Sequence, residues 1–382
     1  MIDRRNFLGQ AALGAGALLV GSHMALAAVE TDRRFVFIIQ RGAADGLAIV
    51  APYADPAYAR LRGALALDPA KTIRLDGSFA LHPALAETAK MYAARQALFV
   101  HAVASPYRDR SHFDGQNVLE TGGDQPYRLR DGWLNRLVAL LPRARDEAVA
   151  LAPTVPMALR GSAEVTSYAP SALPQPSDDL LLRAGRLYAR DAQLHPLWTA
   201  ALEARGLAEG SGARQDPASL GRLAASFLVK PNGPRIAMME TGGWDTHSGQ
   251  EGRLAAQLKA LDMLLAALRD GLGSAWTQTT VLVATEFGRT AAVNGTGGTD
   301  HGTASVAWLI GGAVRGGRLL TDWPGLAPGQ LYEGRDLKPT LALDALIAGA
   351  AAGALALDPV RVARSIFPEA TGLRPVEGLT VT

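Results

Sequence analysis

A chain of 382 residues, 48% hydrophobic and 19% charged, can bury a substantial core and is too apolar for a disordered chain or a coiled coil. The formal net charge is +2, and the basic residues, 33 Arg and 5 Lys, form no basic stripe, which argues against nucleic acid as a partner. The absence of cysteine excludes disulfides, thiolate zinc sites and thiol nucleophiles together.

The chain begins with an address. Residues 3–9 read Asp-Arg-Arg-Asn-Phe-Leu-Gly, a twin arginine followed by Phe-Leu that resembles a Tat export signal. A mild apolar run, Ala11 to Val20, and an A-x-A cleavage site, Ala25-Leu26-Ala27, follow in the expected order. Residues 1–27 are therefore expected to be a Tat signal peptide, recognised by the Tat translocase, and residues 28–382 a single periplasmic domain with loop insertions. The apolar run is too short and Gly-rich for an anchor, and the later apolar stretches near 260–268 and 341–356 carry charges, so no transmembrane segment is expected.

Short apolar runs then alternate with helical patterns. Buried strands are expected at Arg34–Gln40, Ala97–Val103, Val155–Leu159, Arg235–Glu240, Thr279–Thr285 and Ser305–Gly311, by length and β-branched content. Helices are expected at Pro83–Arg95, Ser111–Glu120, Ser219–Val229 and Arg253–Arg269. In the last, Leu254, Leu258, Leu261, Leu265 and Leu268 share one face. Near-continuous apolar strands separated by helices predict an α/β fold with a mostly parallel sheet covered on both faces. Residues 160–178 and 205–217, rich in Ser, Pro, Ala and Gly, read as surface loops.

In such a sheet ligands bind beyond the carboxyl ends of the strands, and the polar residues gather there. Arg41-Gly-Ala-Ala-Asp45-Gly46 follows the first strand, and Arg108-Asp-Arg110-Ser111-His112-Phe-Asp114 the second. Thr241-Gly-Gly-Trp-Asp245-Thr-His247 follows the fourth, and Glu286-Phe-Gly-Arg289 the fifth. Gly297-Gly-Thr-Asp300-His301-Gly302 precedes the sixth. Imidazole with carboxylate is a ligand set for zinc, manganese or iron, whereas carboxylates alone lean to magnesium or calcium. Each segment alone has a plain structural reading: a turn, a cap, or a Glu286–Arg289 ion pair. Their placement at one sheet edge argues for a shared site. Ser111 is either the N-cap of its helix or a nucleophile at a positive helix end. His112 is a ligand, a base or a packed residue. His82 reads as structural, and Trp244 as core. No G-x-S-x-G elbow, Walker loop, H-E-x-x-H or full G-x-G-x-x-G is present.

With the twin-arginine start, Arg41-Gly42-Ala-Ala-Asp45-Gly46, Leu81-His82-Pro83, Arg110-Ser111-His112-Phe113, Gly243-Trp244-Asp245-Thr246-His247, Thr285-Glu286-Phe287-Gly288-Arg289 and Thr299-Asp300-His301-Gly302, the chain resembles the bacterial domain-of-unknown-function family 1501. These are exported proteins related to the alkaline phosphatase and sulfatase superfamily. The resemblance implies a three-layer α/β/α domain, alkaline-phosphatase-like. It likens Asp45 to the metal-binding Asp after the first strand, Ser111 to the Ser or Thr nucleophile, Asp245 and His247 to a metal loop, and His301 to the last His ligand. The chain departs where superfamily hydrolases show Asp-His, having Glu286-Phe287, and in the short spacing from Asp245 to His247. The missing imidazole at Phe287 argues against a second ion unless Asp300 or His112 compensates.

The expected function is thus an exported, metal-dependent hydrolase acting on a small anionic phosphate or sulfate ester. One or two divalent ions, among zinc, manganese, calcium and magnesium, would be held by Asp45, Asp245, His247, Glu286, Asp300 and His301. Ser111 and His112 would be catalytic, and Arg41, Arg110 and Arg289 would bind the anion. The alternative is an inactive exported protein of the same fold that serves as a binding or assembly partner.

Overall fold

β1 (Arg34–Gln40) is buried along its whole length, and its alternation divides the protein. Phe35, Phe37 and Ile39 enter one core, Val36 and Ile38 the other, as the period of two of a strand requires. The structure is a computed structural model that describes residues 32–68, 70–142, 147–169 and 216–381, with 183–185, 187–191, 194–196 and 198–199 between them. The expected signal peptide and the expected loops at 170–178 and 205–215 lie outside the described residues.

Three short strands, β2 (Val50–Ala51), β3 (Ile73–Arg74) and β4 (Ala80–Leu81), form a small antiparallel sheet. The main sheet adds to β1 the strands β5 (Ala97–Ala104), β6 (Ala148–Ala150), β7 (Thr166–Ser167), β8 (Ile236–Thr241), β9 (Thr279–Ala284), β10 (Ser305–Ile310), β11 (Arg318–Leu320) and β12 (Leu341–Ala342). Its order is β11-β5-β10-β9-β1-β8-β6-β7, with β12 also on β5. β1 pairs in parallel with β8 and β9, and parallel pairing also joins β5 to β11 and β12, and β6 to β7 and β8.

β10 is the exception, antiparallel to both β5 and β9. A parallel crossover needs a dozen or more residues, usually a helix, and residues 285–304 contain no helix. The chain therefore doubles back, and the segment before β10 reaches the edge where β1, β5, β8 and β9 end.

One face of the sheet is covered by the helices Trp133–Val138, Leu343–Leu355 and Pro359–Ile366. The other is covered by Ala86–Ala93, Pro217–Leu228 and Gln250–Leu272. The result is the three-layer α/β/α architecture with a mostly parallel central sheet that the sequence pattern predicts. Asp216 caps the Pro217–Leu228 helix by accepting from Ser219 N–H.

One expected strand is corrected. Val155–Leu159 holds a 3₁₀ turn, Met157–Leu159, because Pro153 and Pro156 remove ladder donors. The strand at this place in the sheet is β6, whose three residues carry too little pattern to be recognised. The expected loop from residue 160 contains β7 within its described part.

Trp133 is fully buried against Phe35, Phe37 and Phe367, and its Nε1 donates to the Leu119 carbonyl at 3.0 Å. Trp133→Ala should lower the unfolding free energy by roughly 3–5 kcal/mol, read as a lower urea midpoint. A loss below about 1 kcal/mol would mean that this half of the core does not depend on it.

Candidate metal centre

Five sheet-edge segments supply the centre. His112 opens the His112–Thr121 helix after β5. Asp245 and His247 lie between β8 and the Gln250–Leu272 helix, Glu286 lies just beyond β9, and Asp300 and His301 lie before β10. Gly42, beyond β1, lies against the backbone of Asp245. A Cβ there would sit 2.6 Å from Asp245 N, and its φ is +119°, so only glycine fits.

Three imidazoles converge on the Asp245 carboxylate. His247 Nε2 is 3.0 Å and His301 Nε2 3.4 Å from Oδ1, and His112 Nε2 is 3.5 Å from Oδ2. His247 Nε2 and His301 Nε2 are 3.0 Å apart. The ligand atoms of His112, Asp245 and His301 all lie within 4.8 Å of one another.

The opposite nitrogen of each ring is assigned. His112 Nδ1 faces Glu286 Oε1 at 2.8 Å, His301 Nδ1 faces the Arg110 carbonyl at 2.9 Å, and His247 Nδ1 faces Asp300 Oδ1 at 3.3 Å. Each Nδ1 thus has an oxygen acceptor, and in the tautomer that places the hydrogen there each Nε2 presents a lone pair. His112 Nε2 is buried with no hydrogen-bond partner, and in that tautomer two lone pairs oppose each other between His247 and His301. A cation resolves both defects, and three imidazoles with a carboxylate are a donor set that holds a divalent metal. The oxygen partners behind the rings are the supports that ligating histidines require.

The electrostatics follow from these contacts. Hydrogen bonding to Glu286 raises the His112 pKa against the opposing effect of burial. Burial lowers that of His301, with the charge of His112 adding to the effect. Burial pushes Glu286 up, but hydrogen bonds from His112, the Gly42 N–H and Gln116 hold it below the usual carboxylate range. Burial likewise opposes ionisation of Asp245, and the hydrogen bond and charge of Arg289 outweigh it.

Several expected roles are redistributed. His112, expected to be catalytic, lies with Asp245 and His301 in the group whose ligand atoms converge. Glu286 and Asp300, expected as ligands, stand behind His112 and His247. Asp45 lies apart. Its carboxylate is taken up by Arg62, Gln250 and the N–H groups of Leu47 and Ala48, capping the Gly46–Ile49 helix. The three expected anion binders are tied to other partners. Arg41 binds Glu120, Glu240 and Gln116, and Arg110 binds Glu333 and Asp336. Arg289, fully buried, binds Asp245 at 2.7 Å and both the hydroxyl and carbonyl of Thr299.

Ser111 occupies the N-cap position but makes no side-chain capping bond. Its N–H donates to the Tyr107 phenol at 3.1 Å, and its hydroxyl interacts with the same phenol. Phe287 stacks on His112 with centroids 5.1 Å apart and also flanks His301. Trp244 is core, with its Nε1 on Thr241, and buried His82 accepts from Ala84 N–H.

Residues not anticipated from the sequence complete the surroundings. Gln116 holds Glu286 at 3.2 Å, and its spacing of four from His112 was a usable signal. Arg253 donates to the Asp245 carbonyl and Arg335 to the His301 carbonyl, both from exposed positions. Nothing local in the sequence marks these two or Asp336.

The chain belongs to the family described as protein of unknown function DUF1501, matched over residues 70–366. No curated protein matches it in sequence. The C-terminal periplasmic domain of EcEptC from Escherichia coli, solved in complex with Zn, aligns at 8% identity over 74% of this chain and 73% of that one, with a TM-score of 0.39. Ps i-CgsB in complex with k-i-k-neocarrahexaose aligns at 12% identity over 76% and 68%, with a TM-score of 0.39. The phosphonate monoester hydrolase of Agrobacterium radiobacter aligns at 12% over 75% and 70%, with a TM-score of 0.26.

The division between Asp45 and Asp245 is testable. Asp45→Ala strands the buried Arg62 and should cost roughly 3–5 kcal/mol of stability while bound metal per folded molecule is unchanged. Asp245→Asn should abolish most metal retention. Elemental analysis beside thermal melts reads both, and metal loss in Asp45→Ala would return Asp45 to the centre.

Proposed function

We propose that this chain is an exported, metal-dependent hydrolase of phosphate or sulfate esters, working in the periplasm after delivery by the Tat translocase. One observation carries the reading: His112, His301 and the Asp245 carboxylate bring ligand atoms within 4.8 Å of one another at the ligand-binding edge of an α/β sheet, with His247 Nε2 3.0 Å from both Asp245 Oδ1 and His301 Nε2. Three nitrogen donors favour zinc over calcium or magnesium, which prefer all-oxygen sets. His112, Asp245, His247 and His301 would hold one ion. When bound, the ion supplies Lewis acidity toward an ester oxygen.

The remaining work belongs to the chain. Ser111, whose hydroxyl is not spent on capping, would attack from the positive end of the His112–Thr121 helix. Tyr107, whose phenol burial keeps in its protonated form, would orient the Ser111 hydroxyl, and the hydroxyl proton would pass to solvent. Glu286, Asp300 and the Arg110 carbonyl keep the three rings in one tautomer. Arg253 and Arg335, rather than Arg41, Arg110 and Arg289, are the exposed cations adjacent to the ligands and would receive the anion.

A second reading, an inactive exported binding or assembly partner of the same fold, draws support from the same neutralised arginines and from Phe287, which fills the place of a further imidazole. Ser111→Ala separates the two. It should change stability by less than about 0.5 kcal/mol and cut hydrolysis of an aryl phosphate or aryl sulfate by orders of magnitude. Equal turnover in the variant would transfer the attack to water. No turnover in the metal-loaded parent would favour the binding partner.

Export is tested separately. Replacing Arg4 and Arg5 by Lys should leave uncleaved protein in the cytoplasm, followed by fractionation and immunoblotting. Normal processing of that double variant would rule out the Tat route.

A further inference from the structure

We infer that Arg110 is a positioning residue, whose main-chain carbonyl, set by a left-handed backbone, aims His301 into the centre. The inference rests on the reading of His301 as a metal ligand, and four observations on the Arg110 turn carry it.

First, Arg110 has φ +62°, a conformation that non-glycine residues adopt rarely and at a cost. Second, its side chain is anchored on the segment Tyr332–Asp336. Nε donates to Asp336 Oδ2 at 3.0 Å, and the guanidinium also reaches Glu333. Asp336 is fully buried and is held in turn by the Thr303 hydroxyl at 2.8 Å. Third, the Arg110 carbonyl accepts from His301 Nδ1 at 2.9 Å. Fourth, the same anchoring segment grips His301 from its other side, where Arg335 donates to the His301 carbonyl at 2.6 Å.

Of the three Nδ1 supports, two are carboxylates and this one is a peptide carbonyl. A carboxylate can follow its imidazole by rotating about its own side-chain bonds. A carbonyl cannot, so the direction of the His301 lone pair is fixed by the φ and ψ of residue 110. In a right-handed or extended conformation the carbonyl would swing away, leaving Nδ1 without its acceptor and the ring free to flip. The guanidinium thus acts on the centre indirectly: tied to Asp336, it keeps the backbone of residue 110 in its costly state. This role differs from anion binding, which needs the guanidinium itself beside the substrate.

The two roles separate by exchanging the residue for others that differ in tolerance of positive φ. Arg110→Gly, Arg110→Asn and Arg110→Ala lose the same ion pairs. Glycine accepts the left-handed state freely and asparagine readily, whereas alanine resists it. Each is made in the parent chain, which serves as the reference, and again in an Asp336→Asn background, where no buried carboxylate is left bare. Zinc affinity is measured on the full chain by competition with a chelator. In metal-free protein, the ¹⁵N signals of His301 report which ring nitrogen carries the hydrogen.

Relative to the reference, the Gly variant should keep zinc affinity within about threefold, and the Ala variant should lose tenfold or more, the range for removing an outer support of a metal ligand. Asn should fall between them. The His301 signals should keep the Nδ1–H pattern in Gly and lose it in Ala. Equal zinc affinities and equal His301 signals in Gly and Ala would overturn the inference. If the parent binds no zinc, the metal reading fails, and the ¹⁵N comparison alone still decides whether residue 110 sets the His301 tautomer.

Discussion

The Asp245 carboxylate is the group on which the site depends. Three imidazole nitrogens lie within 3.5 Å of its oxygens, and the fully buried Arg289 guanidinium touches Oδ1 at 2.7 Å. A buried guanidinium is tolerated only when paired and hydrogen-bonded, and Arg289 is locked by Thr299 on its other side. Thr299 donates to Gln250 Oε1, and Gln250 donates to Asp45, which holds Arg62. A chain of buried polar contacts therefore runs from the small Gly46–Ile49 helix to the centre. It explains why Asp45 and Arg289 stand out in the sequence beside the ligands: each holds part of the frame in which Asp245 is aimed.

The fold was largely legible because long, β-branched, nearly unbroken apolar runs have few alternatives. β1, β5, β8, β9 and β10 lie within a residue of their expected bounds. The lost strand at Val155–Leu159 and the unseen β6 and β7 fail for opposite reasons, prolines in the first and too few residues in the others. The direction of β10 was also hidden, since periodicity is blind to strand polarity. It followed from the missing helix between residues 285 and 304.

The site was legible as a location rather than as a set of roles. The rule that ligands bind beyond the carboxyl ends of the strands places His112, Asp245, His247, Glu286, Asp300 and His301 at one edge, where the structure brings their side chains within contact of one another, because topology alone decides that proximity. Which carboxylate touches a metal and which braces an imidazole depends on about two ångströms of side-chain reach, and no spacing encodes that. The pairing of the arginines was hidden for a related reason. Arg41, Arg110 and Arg289 are expected to offer donors to an anion, but their partners, Glu120 and Glu240, Glu333 and Asp336, and Asp245 respectively, lie far away in the chain. A guanidinium's availability is a property of the packed structure.

That commitment of the arginines has a consequence for how an anion could approach. Asp45 is balanced by Arg62 and Asp245 by Arg289, whereas Arg41 faces two carboxylates, Glu120 and Glu240. Glu286 is held by imidazole, amide and hydroxyl groups, and Asp300 by His247 and Asn294. Glu286 and Asp300 add negative charge beside the imidazoles, which opposes a phosphate or sulfate ester and attracts a divalent cation. At an effective dielectric near 20, unit charges about 4 Å apart interact by roughly 4 kcal/mol, so a bound dication reverses the sign of the field that an incoming ester meets. On the proposed function, metal binding must therefore precede substrate binding, with Arg253 and Arg335 at the rim adding to an attraction that the ion itself creates.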